Sequence, residues 1–477
     1  MMKKIFVLSL CTLVAIFGLN AQNSNGNKLT LQQCVETGIT NNLQVQQSDL
    51  QMQSDQINWK QAKLNLLPNL NGSVSHGINQ GRSIDPFTNG YINQSNNTGS
   101  YSLSSGVVLF NGFSLLNSVK QTSLAYQASK MDWQQAKDNI TINIILAYLQ
   151  VLSNQEQLQQ AKNQLDLSKQ QVDRLEILNK QGDINPSDLS DLKGQYAGDQ
   201  LSIINSQNAF ESSKLTLCQL MNIPYDKNME LEKISAETLA TKYEDTPDKI
   251  YSTALAQLAL IKAVDLRKLS AEKGLKVAKG ELYPTLSFGA NTNTNYSSTA
   301  SQDIFINSTT IATPDYVTVN NTQYPVMSTV NNYSNQKIGY GKQLNNNRFT
   351  SFDLSLRIPI FNSLQARNRV KQAQLTLKNY QIIASTTRTE LQQNIEQAYI
   401  NMSSASDRYK TLMDQVSAYS ESFRIAEVRF NSGLGTPIDY LTAKNNQDRA
   451  NINLINAKYD YVLRTKILDY YEGKPLW

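Results

Sequence analysis

The chain has 477 residues and a formal net charge of +5, and only 17% of its residues are Asp, Glu, Lys or Arg. The basic residues are scattered, and no Lys/Arg run interleaved with aromatic residues is present, which argues against a nucleic-acid partner. Asn, Gln, Ser and Thr take many positions that charged residues hold in ordinary soluble proteins, so the predicted surface is polar but weakly charged.

The first residues have the pattern of a secretory signal peptide. Two lysines precede the apolar run Ile5–Leu19, and Ala21 is a small residue at the expected cleavage point. We therefore predict a signal peptide over residues 1–21. Cys11 raises the alternative of a lipoprotein, but Leu10 precedes it where a lipobox needs a small residue. Beyond this peptide no apolar run reaches the roughly 18 residues of a membrane-spanning helix, so any membrane segment is predicted to be a strand.

Helices and strands follow in two similar halves, and a segment at residues 222–246 breaks the periodicity between them. The predicted elements of the first half (22–221) are a helix at about 29–66, a strand pair at about 69–110, a long helix from about 111 to 181, and a helix at about 186–220. Those of the second half (247–477) are a helix at about 247–282, a strand pair at about 285–361, a long helix from about 362 to 432, and a helix at about 437–472.

The second half repeats the first. The segment YSLSSGVVLFNG from Tyr101 aligns without a gap with FDLSLRIPIFNS from Phe352, an offset of 251 residues. An earlier block, AKLNLLPNL at Ala62, matches AKGELYPTL at Ala278 with an offset of 216. The difference of 35 residues lies between the two blocks, so we interpret the chain as a tandem duplication in which one connection has grown.

Four segments alternate between apolar and polar residues, as strands do when one face meets lipid and the other water. The predicted apolar face consists of Leu70, Val74, Ile78, Tyr101, Leu103, Val107, Leu109, Leu286, Phe288, Ala290, Tyr296, Phe352, Leu354, Leu356, Ile358 and Ile360. An ordinary half-buried sheet is the alternative, but the long polar connections at 79–97 and 302–348 favour an outer-membrane barrel. Because four strands cannot close a barrel and an open edge is not stable in lipid, other copies must complete the sheet.

Apolar residues also recur every three or four positions along each long helix, which predicts coiled-coil packing along a seam. The first seam is Ile140, Ile144, Ala147, Val151, Asn154, Leu158, Ala161, Leu165, Ser168, Val172, Leu175 and Asn179. The second is Leu391, Ile395, Ala398, Met402, Ala405, Tyr409, Leu412, Val416, Tyr419, Phe423, Ala426 and Phe430. About 70 residues at 1.5 Å each give a helix of roughly 100 Å, so these helices are predicted to extend far beyond a bilayer.

The order of these elements, the strand ends VVLFNG and IPIFNS, and the segment GLGTPIDYLTA resemble the TolC-like outer-membrane efflux proteins, or outer membrane factors, over essentially the whole mature chain. The resemblance implies an α+β membrane protein: a homotrimer whose four strands per chain close a twelve-stranded barrel in outer-membrane lipid, continued by a periplasmic α-helical barrel. Residues 222–246 would then be an equatorial linker.

The same resemblance implies a passive exit duct of a tripartite efflux or type I secretion system in a Gram-negative outer membrane. Such a duct docks through a periplasmic adaptor (membrane fusion) protein onto an inner-membrane pump of the RND, ABC or MFS type. A trimeric surface-anchored structural or adhesive stalk without transport remains the alternative. No cofactor or metal is expected, and an enzyme is disfavoured, because the chain has one histidine, His76, predicted to face solvent or the barrel, and no nucleophile elbow or phosphate loop.

Each half interrupts its helices in the same way, with GDINPSD at Gly182 and GLGTPID at Gly433. Gly can end a helix in the left-handed conformation, Asn or Thr can cap the next helix, and Pro suits its first position. Helix capping alone explains these residues, and adaptor docking is the further expectation that the resemblance adds. The predicted hairpin-tip and adaptor-docking residues are Gly182, Asn185, Pro186, Gly433, Gly435, Thr436 and Pro437.

The resemblance also implies a pore gate at these tips. In the family an acidic ring lines the closed entrance; Asp439 matches a ring aspartate, and Asp188 matches the gate-region aspartate of the first repeat. Phe430 aligns with a gate tyrosine but lacks its hydroxyl. Gly435 and Thr442 stand where a gate arginine and a second ring aspartate are expected, so the predicted gate consists of Asp188, Asp439 and Phe430 with a thinner ring.

Overall fold

The computed structural model describes residues 28–84, 89–93, 95–233 and 245–474. The predicted signal peptide and residues 234–244 of the predicted linker lie outside the described residues. The chain divides into two compact units. The helical unit contains the residues up to Ser54, Gln127–Leu266 and those from Ile382 onward, and the sheet unit contains Asp55–Tyr126 and Arg267–Gln381.

The helices are α1 (Leu31–Asn41), α2 (Leu43–Leu64), α3 (Ser114–Gln181), α4 (Pro186–Met221), α5 (Pro247–Gln257), α6 (Ala259–Gly280), α7 (Tyr340–Asn346), α8 (Gln365–Asn431) and α9 (Pro437–Tyr471). The strands are β1 (Asn69–Asn79), β2 (Arg82–Ile84), β3 (Tyr91–Asn93), β4 (Asn96–Asn111), β5 (Thr285–Ser297), β6 (Ser301–Val319), β7 (Thr322–Lys337) and β8 (Phe349–Arg357). Among the helices of these described ranges, none has the length and hydropathy needed to cross a membrane.

The four predicted strands form one antiparallel sheet in the order β1-β4-β5-β8. Its register pairs Val74 with Tyr101 and Phe288 with Leu354, so the predicted apolar residues that lie within the ladder share one face. We call the opposite side the polar face. Its residues include Asn69, Asn71, Ser73, Ser75, Ser100, Ser102, Ser104, Gly106, Ser287, Gly289, Asn291, Asn293, Asn295, Ser351, Asp353, Ser355 and Arg357.

Three residues predicted for the apolar face do not join it. Leu109 lies at a bulge, where the pairing shifts between Val108 and Phe110, so strict alternation fails there. Ile358 and Ile360 lie beyond the end of β8. Pro359 stands between them and has no N–H to donate to a ladder, which is consistent with the strand ending at Arg357.

Aromatic rings gather at one end of the apolar face. His76 and Tyr296 stack with centroids 6.3 Å apart, and Tyr296 contacts Tyr340 of α7 at 4.8 Å. The Tyr340 hydroxyl donates to the Tyr101 hydroxyl at 2.8 Å. His76 therefore shares a face with the apolar residues and is exposed in the single chain. The cluster resembles the aromatic girdle that outer-membrane barrels place at the lipid interface.

The long second connection is more ordered than a polar loop. Strands β6 and β7 pair as an antiparallel ribbon outside the four-stranded sheet. The two residues between them, Asn320 and Asn321, have φ of 48° and 68°, as a tight two-residue hairpin turn requires. The flanking segments are rich in Thr, Val, Ile and Tyr, which favour strands. The shorter connection contains the small ribbon β2–β3.

The passage from strand to long helix has the same backbone in both repeats. Gly112 and Phe113 have φ of 61° and 62°, and Ser363 and Leu364, at the offset of 251, have φ of 53° and 62°. A Cβ on Gly112 would lie 2.6 Å from the carbonyl oxygen of Gly280, so the first repeat needs glycine here for space as well as for conformation.

Two predicted helices are each interrupted by one extended residue, and the interruptions lie 216 residues apart in the sequence. Asn42 separates α1 from α2 with ψ of 126°, and Leu258 separates α5 from α6 with ψ of 132°. The Asn42 side-chain oxygen accepts the N–H of Gln44 at 2.9 Å and so caps α2. Leu258 is instead buried in the core.

The core of the helical unit follows the two predicted seams, whose residues are all buried or half-buried. Two polar residues of the first seam are buried because their side chains form hydrogen bonds. Asn154 donates to the carbonyl oxygen of Ala209 at 3.0 Å, and Ser168 donates to the carboxylate of Asp199. Both contacts join α3 to α4, so these residues replace apolar packing with buried hydrogen bonds.

Candidate functional site

The two helical hairpins of the helical unit end in tips with the same backbone design. In the first, Gly182 has φ of 82°, its N–H donates to Asn179 and the next N–H donates to Leu178 at 3.0 Å. In the second, Gly433 has φ of 73° and the matching bonds reach Phe430 and Arg429. This bonding pattern is a Schellman motif, which satisfies the last carbonyl groups of the long helix. Each glycine is therefore required by conformation.

The following helix is capped at each tip. Asn185 accepts the N–H of Ser187 at 3.1 Å, and Thr436 accepts the N–H of Asp439 at 3.2 Å. Pro186 and Pro437 occupy the first helical position, where a missing N–H costs nothing. The structure thus places these predicted tip residues in turns that reverse the chain within a few residues.

The two predicted gate aspartates lie in the first turn of these helices. Asp439 is exposed in the single chain, and its carboxylate accepts a hydrogen bond of 2.8 Å from the Thr436 hydroxyl. Asp188 is half-buried, and its N–H donates to the carbonyl of Asn185. Both carboxylates suit the positive end of a helix. Capping accounts for their position and leaves the Asp439 carboxylate accessible.

Phe430 lies inside the second tip. Its side chain is 9% exposed and stacks on Tyr440 with ring centroids 4.9 Å apart. Val172 and Leu175 of α3 and Leu192 of α4 belong to the same apolar cluster. The ring therefore supports the tips from within, and its part in a pore gate stays a prediction.

The tips differ in the chemistry they expose. In the second tip, Leu434 is 84% and Ile438 is 69% exposed. The equivalent positions in the first tip are Asp183 and Ser187, both exposed. Gly435 corresponds to Ile184, and a Cβ on Gly435 would lie 3.1 Å from the backbone nitrogen of the preceding helix end. The duplication has thus kept the backbone and made one tip polar and the other apolar.

An arginine contacts the second tip, although Gly435 holds the position at which a gate arginine is expected. Arg174 of α3 donates through one guanidinium nitrogen to the backbone carbonyl of Asn431 at 2.6 Å and through the other to its side-chain oxygen. Asn431 is the last residue of α8, so this cation lies at the negative end of the helix. The contact joins the two hairpins, and no local sequence pattern predicts it.

A buried charged cluster also joins the hairpins. The Lys444 ammonium of α9 lies 3.1 Å from Asp199 of α4 and 2.8 Å from Asp448, and its side chain is 1% exposed. Gln195 donates to the second oxygen of Asp199 at 2.8 Å. Burial raises the pKa of Asp448, and the neighbouring Lys444 opposes that shift. The sequence gives one indication that Asp199 is buried. It follows the core residue Leu192 by seven positions, and residues seven apart lie on the same face of a coiled-coil helix.

The sequence model of a family described as "Outer membrane efflux protein" matches residues 35–222 and 250–469, which is most of the chain. The chain belongs to this family. Residues 223–249 separate the two matched segments. No curated protein sequence is significantly similar to the chain.

Solved structures agree in fold. The outer membrane protein VceC from Vibrio cholerae is similar with a TM-score of 0.73 and 14% identity, covering 94% of this chain and 97% of that one. The Campylobacter jejuni CmeC outer membrane channel is similar with a TM-score of 0.73 and 16% identity, covering 93% of this chain and 85% of that one. The open state of the Neisseria gonorrhoeae MtrE outer membrane channel is similar with a TM-score of 0.71 and 13% identity, covering 94% of this chain and 89% of that one.

The chain therefore has the fold of trimeric channels in which a β-barrel is continued by a helical barrel. Like the rest of its family, it is an outer-membrane channel that extends into the periplasm and forms an exit duct for efflux. The family is one of channel proteins, so the stalk without transport is set aside. With the four strands of this sheet from each chain, three chains supply a twelve-stranded barrel.

Proposed function

We propose that the two hairpin tips build the periplasmic mouth of the duct, and that a periplasmic adaptor docks there and links the channel to an inner-membrane pump of the RND, ABC or MFS type. The observation that carries this proposal is the repeated tip: one reversed hairpin occurs twice in the chain, with the same caps and a carboxylate in the first turn each time. In a trimer, six such tips meet around one axis.

We further propose that this mouth is selective for cations. Three copies of Asp439 and three of Asp188 bring six carboxylates to the tips, and Asp439 remains exposed while it accepts its hydrogen bond from Thr436. Carboxylates that line a narrow opening raise the local concentration of cations. The Arg174 contact with Asn431 supports the mouth by joining the two hairpins of one chain.

The adaptor is proposed to contact the second tip through apolar side chains. Leu434 and Ile438 are exposed there, whereas Asp183 and Ser187 hold the matching positions of the first tip. Burial of these two side chains against a partner would remove their apolar surface from water, which favours association. The first tip, which is polar, would face water or a polar surface of a partner.

Replacing Asp439 by Asn tests the mouth. We expect the preference for potassium over chloride to fall roughly two- to five-fold in single-channel recordings of the purified trimer, because three charges are lost from the opening. Thr436→Val is the matched control, since it removes the capping hydroxyl and keeps the carboxylate; it is expected to cost about 0.5–2 kcal/mol of stability and leave ion preference unchanged. If Asp439→Asn alters neither ion preference nor block by divalent cations, Asp439 has only a capping role.

A further inference from the structure

The polar face of the four-stranded sheet is almost free of charge. Within its described strands, Asn, Ser, Gly and Thr predominate, and Asp353 and Arg357 are the charged residues. Both belong to β8 and both are exposed in the single chain. Because the apolar face of the sheet meets lipid, the polar face lines the lumen of the barrel. These two side chains therefore carry the fixed charge of the described barrel wall.

Asp353 lies in a recess of that wall. It pairs across the sheet with Gly289, which pairs with Gly106, which in turn pairs with Asn69, so one row crosses all four strands. A Cβ on Gly289 would lie 2.6 Å from a carboxylate oxygen of Asp353, so the carboxylate rests over the glycine, along the wall. Asn69 lies in the same way over Gly106 and accepts its N–H at 2.8 Å. The four residues line part of a recess of about 620 Å³.

Arg357 lies four residues further along the same face of β8, which is about 13 Å along the strand. It is at the end from which the chain continues to α8. In the trimer the three copies form a ring of arginines at the end of β8 and a ring of aspartates about 13 Å further into the barrel. At moderate ionic strength, about 13 Å exceeds the Debye length, so each ring acts on passing ions largely by itself.

We propose that Asp353 is a determinant of ion and solute selectivity in the barrel, favouring cationic groups, and that Arg357 opposes it. The glycine row holds the carboxylates against the wall, so they add charge to the lumen without obstructing it. This inference concerns the barrel and rests on the channel function alone. It does not depend on the mouth proposed at the hairpin tips.

The purified full-length trimer in a planar bilayer under a potassium chloride gradient tests the proposal through the reversal potential. Asp353→Asn is expected to lower the potassium-to-chloride permeability ratio roughly two- to five-fold, and Arg357→Gln to raise it by a similar factor. Both shifts are expected to shrink as salt rises from about 0.1 M to 1 M, because the Debye length falls from about 10 Å to 3 Å. Asp315→Asn, an exposed carboxylate of the β6 strand outside the four-stranded sheet, is the control and should leave the ratio unchanged.

A second variant covers the case in which Asp353→Asn does not assemble. Ser355→Asp adds a carboxylate to the polar face two residues away and is expected to raise the permeability ratio. The proposal is overturned if Asp353→Asn matches the Asp315 control, if Arg357→Gln shifts the ratio in the same direction as Asp353→Asn, or if Ser355→Asp has no effect. A shift with the Asp353 variant and none with the Asp439 variant would support selectivity in the barrel and contradict the proposed mouth.

Discussion

Replacing Lys444 by Met is expected to destabilise the helical hairpins by about 3–5 kcal/mol, because the change leaves the buried carboxylate of Asp199 and the half-buried carboxylate of Asp448 without their cation. Asp199 and Lys444 are 7% and 1% exposed, so water cannot replace the lost partner. The hydrogen bonds from Ser168 and Gln195 remain, but they do not neutralise the charge. We expect a markedly lower midpoint of thermal unfolding, measured by far-ultraviolet circular dichroism on the trimer in detergent.

The control for this variant is Lys193→Met. Lys193 contacts Glu176 at 2.8 Å, but the two side chains are 51% and 42% exposed, and such surface pairs contribute about 0–1 kcal/mol. The triple variant Lys444→Met, Asp199→Asn, Asp448→Asn should recover part of the loss, since no uncompensated charge is then buried. Equal losses for the Lys444 and Lys193 variants would contradict the account of the cluster.

Replacing Leu354 by Arg is expected to prevent stable assembly in the outer membrane. Leu354 lies on the apolar face and pairs with Phe288, so an arginine there would face lipid at a cost of about 2–4 kcal/mol near the bilayer centre. The cost recurs in each of the three chains. We expect little trimer in the outer-membrane fraction, measured as the amount of protein that migrates as a trimer in gels before heating.

The neighbouring Ser355→Arg is the matched control. It introduces the same side chain one residue away, on the polar face, where Arg357 already lies. We expect normal assembly for this variant, because the new charge meets water in the lumen. If both variants assemble equally well, or if only Ser355→Arg fails, the assignment of the two faces to lipid and lumen is wrong.

Much of this fold could be predicted from the sequence because the apolar residues recur with two clear periods, one along the strands and one along the long helices. Alternation assigns Val74, Tyr101, Phe288 and Leu354 to one face, and the sheet register places them there. The steps of three and four residues along the long helices identify the buried seams. The hairpin tips were also visible, because Gly, Pro and Asp have positional preferences strong enough to be recognised in a single sequence.

The remaining features depend on contacts between segments that are distant in sequence. The bulge at Leu109 and the extended residue Leu258 interrupt regular periods without a Gly or Pro at that position, since packing determines them. Arg174 meets Asn431 only after two hairpins have packed, and no local pattern links positions 257 residues apart. The buried pair of Asp199 and Lys444 is partly indicated by the sequence, because Asp199 follows the core residue Leu192 by seven positions.

Conductance of the purified full-length trimer in a planar lipid bilayer would show whether the protein is an exit duct. We expect discrete current steps in potassium chloride without any energy source, with a reversal potential that responds to Asp353→Asn and Asp439→Asn in the direction of weaker cation preference. Trimers that insert into the bilayer, and are verified as folded, but pass no current above the membrane baseline would contradict a channel function.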